Sequence, residues 1–198
     1  VLRKSCYATK KWVDAGLFSG RVAVNLSAVQ FTQPNLVGMI AEILKESRLP
    51  AKYLELEITE GTVMDSPQKA IDIMLQIRAM GIHLSLDDFG TGYSSLAYLK
   101  KFPLNTLKID KAFVDDIEES EQGRNMVATI VTIAHNLGMQ VVAEGVETNH
   151  QLSFLSGLRC EQLQGYLYSK PLPENDFQKY LLSYQITKAS TSFGKTSR

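Results

Sequence analysis

Polar residues recur on one parity in six short segments of this chain. Ala23, Asn25 and Ser27 are followed by Glu55, Glu57 and Thr59, then by His83, Ser85 and Asp87. Thr106, Lys108 and Asp110 continue the pattern, then Gln140, Val142 and Glu144, and finally Gln162 and Gln164. The opposite parity is almost wholly apolar: Val22, Val24 and Leu26; Leu54, Leu56 and Ile58; Leu84 and Leu86; Leu107 and Ile109; Val141 and Ala143. Side chains alternate across a strand, so each segment carries one oily face and one polar face. A parallel sheet buried on both sides would be apolar on both. Acids, amides and a lysine turned the same way at strand ends describe a pocket.

Between these segments the apolar positions take helical spacing. Val1 to Lys11 reads as the end of a helix, and Gly16 and Gly20 lead into a strand at Arg21–Ser27. A helix near Pro34–Ser47 carries Leu36, Ile40, Ile43 and Leu44 on its stripe. The strand Tyr53–Thr59 is followed by a helix with Ser66 as N-cap, Pro67 as first residue and Gly81 as stop. Its inward residues are Ile71, Met74 and Leu75. The strand Ile82–Asp88 runs into Phe89–Ser95, then a short helix near Leu96–Lys101 and a strand at Thr106–Asp110. A long helix over Gln122–Leu137, with Met126, Ile130, Ile133 and Leu137 on one stripe, stops at Gly138. Met139–Gly145 is the fifth strand. Thr148 and Gln151 have capping-box spacing for a helix closed by Gly157. Arg159–Gln164 is the sixth strand, and a last helix begins near Pro173.

Repeated strand–helix units favour parallel strands with right-handed crossovers. Polar residues at strand ends are where a (β/α) barrel puts its chemistry. The expected fold is therefore α/β, an incomplete TIM-like barrel with six of about eight strands, the missing two at the N-terminal side. A doubly wound open sheet is the alternative, but it calls for no polar face on every strand. The domain is expected to span 1–185, with a disordered Ser-, Thr-, Lys- and Gly-rich tail over 186–198.

Composition narrows the function. Hydrophobic residues make up 44% of the 198 residues, enough for a core. Lys+Arg 21 balance Asp+Glu 21, so bulk charge gives no support for binding DNA, RNA or an anionic membrane. The two cysteines, Cys6 and Cys160, form no CxxC pair, and Cys160 reads as a small apolar residue opening a buried strand. No apolar run approaches the roughly 20 residues of a membrane span. A reducing, cytoplasmic setting is expected.

Asn25, Glu57, Asp87, Asp88 and Glu144 can converge at one rim. So many carboxylates repel unless protons or cations intervene. Hard divalent cations, Mg²⁺ or Mn²⁺, suit an all-oxygen set. If the strand persists, Asp87 and Asp88 point to different sides, so one could bridge two ions while the other serves one. Paired ions about 4 Å apart activate water for in-line displacement at phosphorus. Lys108 beside these acids stays charged, which suits orienting the water or neutralising phosphate better than acting as a free base. Each residue also has a plainer reading: loop cap, ion-pair partner, turn residue or, for Lys108, a solvated edge residue. Gln164-Gly165 reads equally as a strand exit. His83 and His135 read as structural.

These residues lie in stretches that resemble the EAL-type cyclic-di-GMP phosphodiesterase domain. The stretches are Val22–Ser27, Glu55–Glu60, Asp87–Leu96, Lys108–Asp110, Ala143–Glu147 and Gln164-Gly165-Tyr166 leading to Pro171. The resemblance implies a barrel with one antiparallel strand and hydrolysis of cyclic di-GMP to linear pGpG with two ions, Mg²⁺ or Mn²⁺. It makes Asn25, Glu57, Asp87, Asp88 and Glu144 the metal-site residues and Lys108 the lysine near the catalytic water. Gln164 matches a glutamine that positions that lysine or the substrate. Glu60 matches the glutamate that steadies the loop after Asp88. Phe89–Ser95 matches the loop linking the metal site to dimerisation, and Glu147 a further acid near the site.

The Glu-Ala-Leu stretch that names the family is not in this sequence. In the family it lies on an upstream strand and its Glu binds metal. The expectation is therefore an active parent protein, with a GGDEF or sensory domain upstream and a possible homodimer, and poor hydrolysis by this chain alone. Two rivals remain at this stage: a cyclic-di-GMP receptor that does not cleave, and a Schiff-base aldolase using Lys108.

Overall fold

Six parallel strands form one sheet in which spatial order follows chain order. This is seen in a computed structural model that describes residues 1–90 and 96–193, the last nine of these by backbone alone. The elements are α1 (Leu2–Asp14), β1 (Val22–Leu26), α2 (Ala28–Phe31), α3 (Leu36–Ser47), a 3₁₀ turn (Ala51–Tyr53), β2 (Leu54–Thr59), α4 (Glu60–Met64), α5 (Pro67–Ala79) and β3 (His83–Phe89). Then follow α6 (Leu96–Leu99), β4 (Thr106–Ile109), α7 (Lys111–Glu119), α8 (Glu121–Asn136), β5 (Gln140–Ala143), α9 (Asn149–Gly157), β6 (Gln162–Leu163) and α10 (Glu174–Phe193).

A doubly wound sheet reverses its strand order part-way. This one does not, and it curls: Gln162 of β6 lines one cavity with Arg21, Tyr53 and Glu55 from the β1–β2 side. The molecule is an incomplete TIM-like barrel. The antiparallel strand implied by the family resemblance is not among the described strands, which all pair in parallel. The apolar parity faces the helices. Leu54, Leu56, Ile58, Leu84, Leu86, Leu107, Ile109 and Val141 are buried there with Ile40, Met74, Val127 and Leu155 from the helices. The polar parity faces the hollow, buried on β2, β3 and β4 and exposed at Asn25, Gln140 and Gln162. Among the described residues, no helix is long and apolar enough to cross a membrane.

Several local expectations are corrected. The buried stripe of α8 is Val127, Ile130, Val131 and Ala134, while Met126 is exposed; the helix is rotated by one position. In α5, Ala70, Met74 and Ile77 are buried and Leu75 is exposed. Three helices were not read from the pattern: α2 and α4 are too short to show a period, and α7 buries only Val114 and Ile117. The sixth strand shrinks to Gln162–Leu163, because the N–H groups of Arg159 and Cys160 are spent on Ser156 and Leu155 carbonyls closing α9. Cys160 is thus half-buried before the strand, its thiol pushed up to about 11 chiefly by burial. Arg159, with φ 62, makes the left-handed turn that was expected of Gly157. The last helix runs as far as Phe193, with no glycine or proline in 174–193 to interrupt it, and the rest of the expected tail, 194–198, lies outside the described residues. Phe177 of α10 meets Trp12 of α1 edge-on at 5.0 Å, so the last helix docks on the first.

Gly165 leaves the sheet where the chain crosses Val146. A Cβ there would lie 2.1 Å from the Val146 carbonyl oxygen, a backbone atom with no room to yield. Gly165→Ala should therefore lower unfolding free energy by about 1–3 kcal/mol. Urea denaturation of the two proteins checks this as a lower midpoint with unchanged slope.

Candidate active site

Five strands carry the polar face to one rim. Glu57 of β2 lies in register with Asn25 of β1 on one side and Ser85 of β3 on the other. Asp87 follows two residues along β3, and Lys108 stands on β4 opposite Val142 of β5. Glu144 ends β5, its N–H bonded to the Ile109 carbonyl.

The pairing of β3 with β4 slips at this level. Leu86 pairs with Leu107 and Phe89 with Ile109, so Asp87 and Asp88 together oppose the single Lys108. This is a β-bulge, and Asp88 takes the left-handed conformation with φ 56. Non-glycine residues at such φ cost of order 1 kcal/mol, and aspartate is among the few that tolerate it. The bulge overturns the expectation that Asp87 and Asp88 alternate across a regular strand. Asp88 stays by Asp87 and Asp110, and burial first, then these two carboxylates, hold its carboxyl above the usual aspartate range.

Lys108 is the hub. Its ammonium lies 2.7 Å from Glu57 Oε1, 2.7 Å from Glu144 Oε1 and 3.0 Å from Asp87 Oδ1. The Lys108 side chain is 6% exposed and those of Glu57 and Asp87 9% and 11%, so these charges exchange most of their water for one another. Burial works to lower the lysine's pKa, but its hydrogen bonds to Glu144 and Glu57 outweigh it and hold the amine above the ordinary lysine range. A Schiff-base nucleophile needs a neutral amine, and Lys108 is held as its cation. Glu57 and Glu144 are both raised, first by burial, with Lys108 opposing the shift.

The other candidates lie around this hub. Glu60 is buried at the start of α4, and its Oε2 accepts the Gly90 N–H at 3.2 Å. Gly90 has φ 96 and its Cα faces the Phe113 ring, which a Cβ would meet at 2.8 Å. The rest of the expected loop, 91–95, lies outside the described residues. Gln164 is exposed. It lines a cavity of about 610 Å³ with Glu144, Tyr166 and Lys170. Glu147 stands apart from the hub, bonded to Lys111 at 3.0 Å, which also binds Asp115 at 2.8 Å. Lys111 was missed in the sequence, although Asp115 four residues on is ion-pair spacing for a helix. Asp110 caps α7 through the Ala112 N–H. His83 bonds Thr106 at 2.9 Å and His135 pairs with Glu161 at 3.1 Å, both away from the hub.

Asn25, Glu57, Asp87, Asp88 and Glu144 thus share one rim, but not as a ready ligand set: among the described residues no three His, Cys, Asp or Glu side chains form a group placed to hold an ion. Lys108 occupies the point on which three of the acids converge. The donor chemistry still fits a hard cation. Four carboxylates face one ammonium, leaving an excess of negative charge that oxygen-seeking divalent ions would offset.

Comparison with known proteins gives one answer. The family model "EAL domain" matches residues 1–171. The cyclic di-GMP phosphodiesterase NbdA of Pseudomonas aeruginosa is 42% identical over 189 residues, covering 96% of this chain and 24% of that protein. The solved structure of the PaMucR phosphodiesterase in complex with c-di-GMP superposes with a TM-score of 0.86 at 40% identity, covering 89% of this chain and 71% of that one. A manganese and cyclic-di-GMP complex of Klebsiella pneumoniae BlrP1 matches with a TM-score of 0.76 at 31% identity, over 87% of this chain and 44% of that one. The chain spans about a quarter of the length of the curated relatives it matches.

The hub makes two measurable demands. Lys108→Met leaves three largely buried carboxylates without their cation and should cost about 3–5 kcal/mol in urea unfolding. The raised pKa values of Glu57 and Glu144 mean that the folded protein holds these protons more tightly than the unfolded chain. Their contribution to stability is full below the ordinary glutamate pKa of about 4.3 and is lost as pH rises through the raised values. The unfolding free energy of the wild type minus that of Glu144→Gln should therefore fall as pH is raised from about 4 to 7. A flat or rising difference contradicts the assignment.

Proposed function

This chain belongs to the EAL domain family, and from that membership we propose that it carries the phosphodiesterase chemistry of its relatives, hydrolysis of cyclic di-GMP to linear pGpG. The observation that carries the reading is the Lys108 hub, a buried cation gathered with acids from three neighbouring strands at one rim. Asn25, Glu57, Asp87, Asp88 and Glu144 would hold two divalent ions, Mg²⁺ or Mn²⁺. Such ions, when bound, activate water and offset charge on the phosphodiester.

The chain's own residues have separate tasks in this proposal. Lys108 keeps its proton and donates N–H groups to the attacking water or a phosphate oxygen. Glu57 and Glu144 hold the ammonium over the rim while they face the ions. Glu60 anchors Gly90 and so fixes where β3 ends beyond Asp88. Gln164, Tyr166 and Lys170 border the cavity beside Glu144, where the bulk of a dinucleotide finds room. Water adds at phosphorus, one P–O bond to a ribose oxygen breaks, and the ring opens to a linear product. A GGDEF or sensory domain and a second copy of the domain are the proposed partners, in keeping with the greater length of the relatives.

The Glu-Ala-Leu motif is not among the 198 residues, and its glutamate is the proposed further metal ligand. Mn²⁺-dependent turnover of cyclic di-GMP should therefore be low for these residues alone and should rise at least about tenfold in a chain extended upstream through that motif. In the extended chain, Glu57→Gln and Lys108→Met should each cost about a hundredfold or more. Product analysis showing no pGpG from the extended chain overturns the reading, as do unimpaired variants.

A further inference from the structure

The balanced net charge of the chain hides a polarity along the half-barrel. Acids crowd the rim at the C-terminal ends of the strands. At the opposite mouth the charges are mainly basic: Arg21, Arg78 and Lys52 line two cavities there, with Glu55 as the acid. Arg21 borders both cavities, of about 510 and 530 Å³. Its Nε is fixed at 2.9 Å from Glu55 Oε2, which leaves the two terminal nitrogens of the guanidinium for another partner.

Arg78 reaches the larger cavity from α5 and makes one long contact, 3.4 Å to the Pro103 carbonyl. Asn105 spends its side-chain oxygen on the Leu84 N–H at 3.0 Å, so its amide N–H₂ is left over. The Gln140 carboxamide has no hydrogen-bond partner among the described residues and lines the same cavity. Four donor-bearing side chains therefore meet here, the Gln140 amide oxygen being the one unspent acceptor among them and Glu55 being paired to Arg21. Phe102, Leu104 and Leu137 supply an apolar wall.

From this convergence we propose that the N-terminal mouth of the half-barrel is a second binding site, which takes a small phosphate-bearing anion between Arg21 and Arg78. Guanidinium groups match phosphate oxygens in a two-pronged fork. The amides of Asn105 and Gln140 complete the donor set, and the apolar wall suits the organic part of a phosphate monoester. The volume lies in the range of small-ligand pockets. His83 borders this cavity and is held below its ordinary pKa, first by burial, with Glu55 opposing and Arg21 and Arg78 adding to the shift. Its ring is thus a built-in reporter of charge in the cavity.

The test is an NMR titration of the whole chain with inorganic phosphate and, separately, with guanosine monophosphate. Ionic strength is held constant with sodium chloride. The His83 ring signals, resolvable among three histidines, should move along a saturable curve with either probe. Tighter binding of the nucleotide would assign the organic wall a role, and equal binding would assign the site to phosphate itself. Arg78→Gln, on an exposed helix position, should weaken both by about tenfold. Arg21→Lys keeps a cation beside Glu55, so the fold is retained while the fork is lost, and it should weaken both likewise. Absence of saturation by about 10 mM with both probes overturns the site. So does an affinity that neither substitution changes.

Discussion

A cation buried among carboxylates has to be held by several partners at once, and this requirement organises the molecule. Lys108 is joined to Glu57, Asp87 and Glu144. These come from β2, β3 and the end of β5, so a single ammonium ties together one side of the whole central sheet. The tie works only if the polar parities of four strands face the same hollow, if the registers bring them level, and if the sheet curls. Loss of any one of these would strand a charge in a poorly solvated place, at a cost of several kcal/mol. The parity that runs through the chain is thus a condition of folding as much as of chemistry.

The bulge at Asp87-Asp88 is the point where sheet regularity gives way to the site. A regular β3 would send the second acid toward the apolar side, against the helices. Two residues set against one keep both carboxylates near the rim, with Asp88 in a strained backbone state. Strain of this kind persists when the surroundings over-determine it. Here Glu60 anchors the next turn through Gly90, and Phe113 leaves space there only for a glycine.

Strand parity, the order of the elements and the gathering of Glu57, Asp87, Glu144 and Lys108 were legible in the sequence, because period-two alternation is a local signal. The bulge was not, since it arises from how β3 meets β4 rather than from either strand alone. The phase of α8 was missed for a related reason: Met126, Ile130 and Ile133 make as good a stripe on paper as Val127, Ile130 and Val131, and only the position of the sheet decides between them. The N-terminal mouth went unnoticed because Arg21, Arg78 and Asn105 are far apart in the chain and share no period. Gln164 keeps its place at the strand exit and lines the cavity beside Glu144, a neighbour that spacing does not encode.

Each described strand pairs only with those adjacent to it in the chain. Every step in assembling these six strands therefore closes a single crossover. Loop-closure entropy grows slowly with length, so these steps carry similar and modest costs. A chain emerging from the ribosome can add strands one at a time to a growing edge, in the direction of synthesis. The active rim, drawn from the first strand to the end of the fifth, would come together only late in that progression, after most of its scaffold is already standing.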